Sequence, residues 1–418
     1  MRNGLNNESI ASLLKYHVIP YPYTVYESRY EDDPYTINDE FNYDLLKSNG
    51  TSVADIGLLK ELLVSAVESS ITRNSDIVLM LSSGKDSMAI LYALAELGIS
   101  NVYARTFSTT ESEDESVVAK KFCKKLGIKH ENIKFDVHNK GFSNLLLKYF
   151  ESSDEPILDQ AFVPYLYMLQ DVSNAEILDG MGNDIYFGHV PPKKEMKAYK
   201  FISYFSKSLR GPLFSGMKPW NNLSILSGER MSPCLEGRIT TRNVKSTLKL
   251  NYKQIDLANM WLKESEYQTS DYFNYRAYVR GRLLDKRTYI GKAIVAAKLT
   301  NNRIYFPWEN MALSSYCFNL KENHKFDRKK HINKLLLRTM LSESIGYDSY
   351  SIGKRAFGFD KKQFIEKHMA NIQKVFSSSE NIINSKYLKK ISTCASNDYC
   401  ASEIINHYLL LGWMNQYR

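Results

Sequence analysis

From about residue 58 the chain alternates between two apolar rhythms. "LLKELLVSAVESSI" repeats its apolar residues every three or four positions, the spacing of an amphipathic helix, and Ile77 to Leu81 is a short unbroken run of strand length. Met88, Ala89, Leu91, Tyr92 and Leu94 resume the helical spacing directly afterwards. A strand "NVYARTF", a helix "DESVVAKKFCKKLG", a strand "NIKFDV", helices around "NLLLKYF" and "AFVPYLYMLQDV", and a strand "AEILD" follow in turn. Strand and helix in alternation predict an α/β fold, a parallel sheet covered by helices on both faces. After roughly residue 195 the strand signal fades. "KQIDLANMWLKESEYQ", "HINKLLLRTMLSES" and "SEIINHYLLLGWMNQY" predict a mainly helical lobe that closes over the core. The expected organisation is a connector-like segment over 1–55, a nucleotide-binding α/β core over 56–195 and a helical substrate lobe over 196–418.

Ligands of parallel sheets sit at the carboxyl ends of the strands, and there the sequence carries "SSGKDS", residues 82–87. A strand-to-helix turn at this point places bare backbone N–H groups beside Ser82, Ser83 and Ser87 at the positive end of a helix, where a phosphate can rest. The spacing is not that of the Walker loop, which needs four residues before its Gly-Lys-Ser/Thr. Asp86 would repel a bare phosphate and makes sense with a magnesium ion between them. The plain alternative is a serine-capped helix after a strand. The strand "AEILD" leads into a second glycine-rich turn, "GMGNDIYFGH", so Asp86 and Asp184 both end parallel strands and could hold magnesium against one pyrophosphate.

Composition narrows the class. With 44% apolar and 24% charged residues in 418, the chain is globular and long enough for two lobes. The opening "MRNGLNNESI" lacks the apolar core of a signal peptide, and no run approaches the ~18 apolar residues of a membrane span, so a cytoplasmic protein with no membrane span is expected. Five scattered cysteines without a Cys-x-x-Cys pair speak against a disulfide scaffold or zinc knuckle, and Cys394 and Cys400 are expected to pack. The formal charge of +9 lies largely in runs such as "PPKKEMKAYK" and "KFDRKKHINK", which read as solvated faces, and the 29 dispersed tyrosines read as core and interface residues.

The two loops together resemble the synthetase domain of asparagine synthetase-like ATP pyrophosphatases, the PP-loop enzymes. The first loop resembles their Ser-Gly-Gly-x-Asp-Ser, and Gly180, Gly182, Asp184, Phe187 and Gly188 match the second loop. The likeness extends through "RTFSTTESEDESVVAKKFCKKLGIKHENI", "DEPILDQAFVPYLYM", "NNRIYFPWENMAL", "KLLLR" and "KRAFGF", and even to the connector-like "SIASLLKYHVIPYPYTVYESRY". β-Lactam synthetases and lasso-peptide cyclases are related.

What the resemblance implies is an ATP- and Mg2+-dependent ligase that adenylates a carboxylate, releases pyrophosphate and passes the acyl group to an amine or ammonia. Ser82, Ser83, Gly84 and Ser87 would cradle pyrophosphate, with Asp86 and Asp184 on magnesium. Lys354 would stabilise the charge developing during adenylation. Met80, Asp179 and Gly180 would lie beside the nucleotide, with Phe107 and Ser108 on the adenine side. Lys85, apolar in asparagine synthetases, is expected to point out of the site.

Two departures argue against plain asparagine synthesis. Glutamine-dependent members begin Met-Cys, whereas Arg2 follows Met1 and no cysteine precedes Cys123, so a synthetase without its glutaminase domain is expected. Met181 stands where relatives carry a glutamate or a tyrosine in a base-like role, and a thioether accepts no useful proton. The expected substrate is a small-molecule, sugar or peptide carboxylate, with nitrogen from ammonia, a separate ammonia-supplying or substrate-carrying partner, or the substrate itself. The basic stretch from Lys193 to Lys249 could meet an acidic substrate. Two other readings stand beside this one: a tRNA-modifying PP-loop enzyme, although nucleic acid is disfavoured by the second loop, and a non-catalytic nucleotide-binding subunit.

Overall fold

The computed structural model describes residues 4–19, 23–26, 52–72, 75–108, 115–188, 248–253, 255, 287–352, 358–393 and 397–417. Most of the stretch from Lys193 to Lys249 and of "KQIDLANMWLKESEYQ" lies outside them, as does Lys354.

Five parallel strands form the central sheet in the order β3-β2-β1-β4-β5: β1 (Ile77–Met80), β2 (Val102–Ser108), β3 (Lys129–Lys134), β4 (Glu176–Asp179) and β5 (Arg303–Tyr305). Helix α3 (Lys85–Glu96) joins β1 to β2, α4 (Glu115–Lys125) joins β2 to β3, and α5 (Lys140–Ser152) and α6 (Phe162–Met168) lead back across to β4. Strand order therefore reverses at β1. Its neighbours are β2 on one side and β4 on the other, with Met80 level with both Arg105 and Asp179. A crevice opens at such a reversal beyond the strand ends, and both glycine-containing loops start there.

Side chains alternate across β1, and the two faces bury different cores. Val78 and Met80 join α1 (Asn7–Tyr16), α5, α6, α8 (Gly291–Leu299) and the C-terminal helices α12 (Lys361–Ser378), α13 (Ser385–Thr393) and α14 (Asp398–Met414). Ile77, Leu79 and Leu81 join α2 (Ile56–Ser69), α3, α4, α9 (Met311–Phe318) and α11 (Leu335–Ile345). This is the α/β parallel core with a helical remainder that the periodicity predicts. Among the described residues, no helix is long and apolar enough to cross a membrane.

Three details differ from the sequence reading. β3 covers Lys129–Lys134 rather than "NIKFDV", because an edge strand open to water carries no apolar alternation. β5 comes from the part of the chain where strand signal had faded; it is three residues long and takes its place from pairing with β4. Cys400 is disulfide-bonded rather than packed as a free thiol.

Candidate active site

The first loop is shaped by its own serines. Ser87 Oγ accepts from the Ser82 amide at 3.1 Å and lies 3.0 Å from the Ser82 hydroxyl, while the Gly84 amide donates to Ser82 Oγ at 3.1 Å. Gly84 caps α3 without a side chain, so the first-turn amides of that helix remain available to an anion. Two aromatic residues from the later half of the chain hold the loop from behind. Trp308 Nε1 donates to the Asp86 carbonyl at 3.2 Å, and the buried Tyr347 hydroxyl donates to the Ser83 carbonyl.

The second loop presses against the first. A Cβ on Gly180 would lie 2.7 Å from the Ser87 amide nitrogen, so only glycine allows the two backbones to meet here. Gly182 turns with φ +99° and opens the short helix α7 (Asn183–Tyr186), which carries Asp184. Asn183 Nδ2 reaches across the crevice to Asp86 Oδ1 at 2.6 Å.

The centre of the site is a lysine that the sequence reading did not assign. Lys334 Nζ lies 2.8 and 2.7 Å from the two oxygens of Asp86 and 2.7 Å from Asp184 Oδ1. Its side chain is 1% exposed, and its backbone is left-handed at φ 59°, an uncommon conformation for a non-glycine residue. It follows the small hairpin of β6 (Phe326–Asp327) and β7 (Ile332–Asn333) and precedes α11. Burial alone would lower its pKa, but the charges of Asp184 and Asp86, and their hydrogen bonds, raise it above the ordinary lysine value. Arg338, one turn further, donates to the Asn333 carbonyl at 2.7 Å and to the Ser349 carbonyl at 2.6 Å, fixing the chain on both sides. The motif "KLLLR" was the available signal, yet nothing in it shows where its lysine points.

The remaining expected residues fall around this centre. Met80 and Phe107 are buried in the same apolar cluster, against which the half-buried Met181 packs. Phe107 and Ser108 extend β2 beyond the end of β1, beside the serine loop. Asp179 is turned inward: its carboxylate accepts from the Tyr165 hydroxyl at 2.7 Å and the Met181 amide at 2.9 Å, and burial raises its pKa. Any approach to a nucleotide at this position would therefore be through backbone. Lys85 is the first residue of α3. It is half-buried at the start of α3, and its pKa is pulled down to about 8, by burial first and then by the charge of Lys334, with Arg338 acting in the same sense.

A family model described as asparagine synthase matches residues 58–400, which takes in both loops, Lys334 and most of the helical part. The chain belongs to the asparagine synthase family. It is therefore an ATP-using ligase of the amide-forming class. No curated protein matches it. Among solved structures it is similar to the U34-tRNA thiolase NcsA from Methanococcus maripaludis, solved with its 4Fe-4S cluster. The identity is 17% over 54% of this chain and 79% of that one, with a TM-score of 0.22, too low a likeness to carry an argument.

ATP enzymes of the synthase family normally work with magnesium, and the residues here fit that ion. Two carboxylates from different loops converge on one cationic position, now filled by the Lys334 ammonium. Among the described residues no cluster of three or more metal-binding side chains occurs. Magnesium is commonly held in this way, by one or two carboxylates with phosphate and water completing the shell.

Proposed function

We propose that the protein activates a substrate carboxylate as its acyl-adenylate and passes the acyl group to an amine, forming an amide and releasing AMP. The observation that carries this reading is the convergence of Asp86 and Asp184 on one cation, beside the free amides of α3 at the sheet's reversal point. A carboxylate oxygen attacks the α-phosphorus of ATP, and the bond to the bridging oxygen breaks with its electron pair leaving on pyrophosphate. The developing charge falls where Ser82, Ser83, Gly84 and Ser87 offer donors and Lys334 a buried cation, an arrangement fixed before the reaction starts. Magnesium held by Asp86 and Asp184 would supply further charge neutralisation on the phosphates. In the second step the amine attacks the acyl carbon and AMP leaves. Met181 lies on the apolar cluster and takes no proton, so the amine arrives neutral or another group receives its proton.

The acid is a small-molecule, sugar or peptide carboxylate, and the amine is ammonia or a group delivered by the substrate or a partner. Cytoplasmic biosynthesis is the setting this chemistry suits. The test is ATP–pyrophosphate exchange with magnesium over a panel containing aspartate, uronic-acid nucleotide sugars and acidic peptides. Exchange with one acid, abolished by Asp86→Asn, is the expected result. ATP binding without exchange across the panel, unchanged by added amines, would favour a nucleotide-binding subunit instead.

A further inference from the structure

We propose that Asn183 is a positioning residue of the magnesium site: its amide nitrogen holds Asp86, and its amide oxygen takes a hydrogen bond from a water in the metal's shell. The inference rests on the adenylating reading above. It adds a side chain that lies between two residues of the family pattern, Gly182 and Asp184, without belonging to that pattern.

The side chain is held from several directions. Asn183 is buried, and its Nδ2 donates to Asp86 Oδ1 at 2.6 Å. Turning the amide over would set Oδ1 against a carboxylate oxygen, two acceptors face to face, so Asp86 decides the orientation. The short helix α7 that carries Asn183 is anchored at its other end, where the Tyr186 hydroxyl donates to the buried Glu309 Oε2 at 2.8 Å. Gly182, just before it, is packed as closely: a Cβ there would lie 2.6 Å from Glu309 Oε1.

What this packing leaves over is Asn183 Oδ1. It is buried and accepts no hydrogen bond among the described residues. Leaving a buried acceptor unmade is unfavourable, and each such atom in a folded protein calls for a reason. Lys334 cannot satisfy it. An ammonium has three donors, and those of Lys334 go to Asp86 Oδ1, Asp86 Oδ2 and Asp184 Oδ1. Magnesium held by one or two carboxylates keeps several waters, and each water brings O–H donors. Oδ1 shares its carbon with the nitrogen that touches Asp86, so the open acceptor borders the shell of an ion that Asp86 holds. At this one atom the site favours a hydrated divalent ion over the lysine ammonium. Partners one shell out from a metal commonly change its affinity by about 10–100-fold.

The experiment is calorimetric titration of ATP, with magnesium and with the metal removed by a chelator, onto the parent protein, Asn183→Leu and Asn183→Asp. Unfolding curves show that each variant is folded. The quantity read is the gain in ATP affinity that magnesium gives. Asn183→Leu removes both polar atoms at similar volume, so it should lose about tenfold of that gain while its metal-free Kd moves by less than about twofold. Asn183→Asp restores an acceptor and adds a charge that attracts the cation. It should keep more of the gain than Asn183→Leu and bind metal-free ATP more weakly than the parent. An unchanged gain in Asn183→Leu overturns the proposal, and an Asn183→Asp that keeps no more of the gain than Asn183→Leu overturns the role of Oδ1. Equal losses with and without metal in both variants overturn it too, since they mark a merely structural role. A parent whose ATP affinity gains nothing from magnesium overturns the magnesium-dependent reading above, and is distinguishable because no variant enters that result. Should Asn183→Leu not fold, Asn183→Ala removes the same amide and is read in the same way.

Discussion

Replacing Lys334 by methionine tests the centre of the site without reference to any substrate. The side chain is 1% exposed and contacts three carboxylate oxygens within 2.8 Å. Breaking a fully buried ion pair from one side costs about 3–5 kcal/mol, because the remaining charge is left uncompensated. The Asp86 and Asp184 side chains are 18% and 39% exposed, so water recovers part of this, and a loss of about 3 kcal/mol is expected. Urea unfolding at neutral pH measures it. Magnesium should stabilise Lys334→Met more than the parent, since the carboxylates no longer have a competing ammonium. In the parent, the raised Lys334 pKa means its contribution is full below 10.5 and is lost only as the pH rises through the higher folded value. A variant within about 1 kcal/mol of the parent, with no larger magnesium response, would refute the bridging role.

Gly180→Ala places a Cβ 2.7 Å from the Ser87 amide nitrogen, with backbone on both sides. It should cost about 1–3 kcal/mol and abolish ATP binding while the chain still folds; parent-like ATP titration would show that the loops need not touch. Lys85→Met should stabilise the ligand-free protein at neutral pH. The parent lysine has a folded pKa of about 8 against 10.5 unfolded, so its own stability rises across that window and the variant's advantage shrinks there; a pH-independent difference would contradict this. Asp159 is paired with Lys292 at 2.5 Å, and that charge holds its pKa below the ordinary value despite burial. Its contribution is present above 3.8 and lost as the pH falls through the lower folded value, so Asp159→Asn should be destabilised at neutral pH and converge on the parent in strong acid, as followed by urea unfolding.

The sequence by itself determined the elements whose signal is local. β1, α3, β4 and α14 follow from runs and spacings within a dozen or so residues, and the two loops announced themselves because tight turns and bare helix ends restrict which residues fit. Family membership was legible for the same reason, since its motifs sit on those turns. The tertiary structure alone decided what depends on contacts far apart in the chain. β5 is strand because β4 offers an unpaired edge 127 residues earlier, at the Glu176 to Arg303 pairing, and three residues carry no period of their own. Lys334 is central because the β6–β7 hairpin delivers it to Asp86 across 248 residues, and a lysine in a basic run looks the same whether it faces water or two carboxylates. The inward turn of the Asp179 carboxylate towards Tyr165 is illegible in the sequence for the same reason. Periodicity fixes which residues form an element, whereas the direction of a charged side chain is set by the field of every other charge the fold assembles around it.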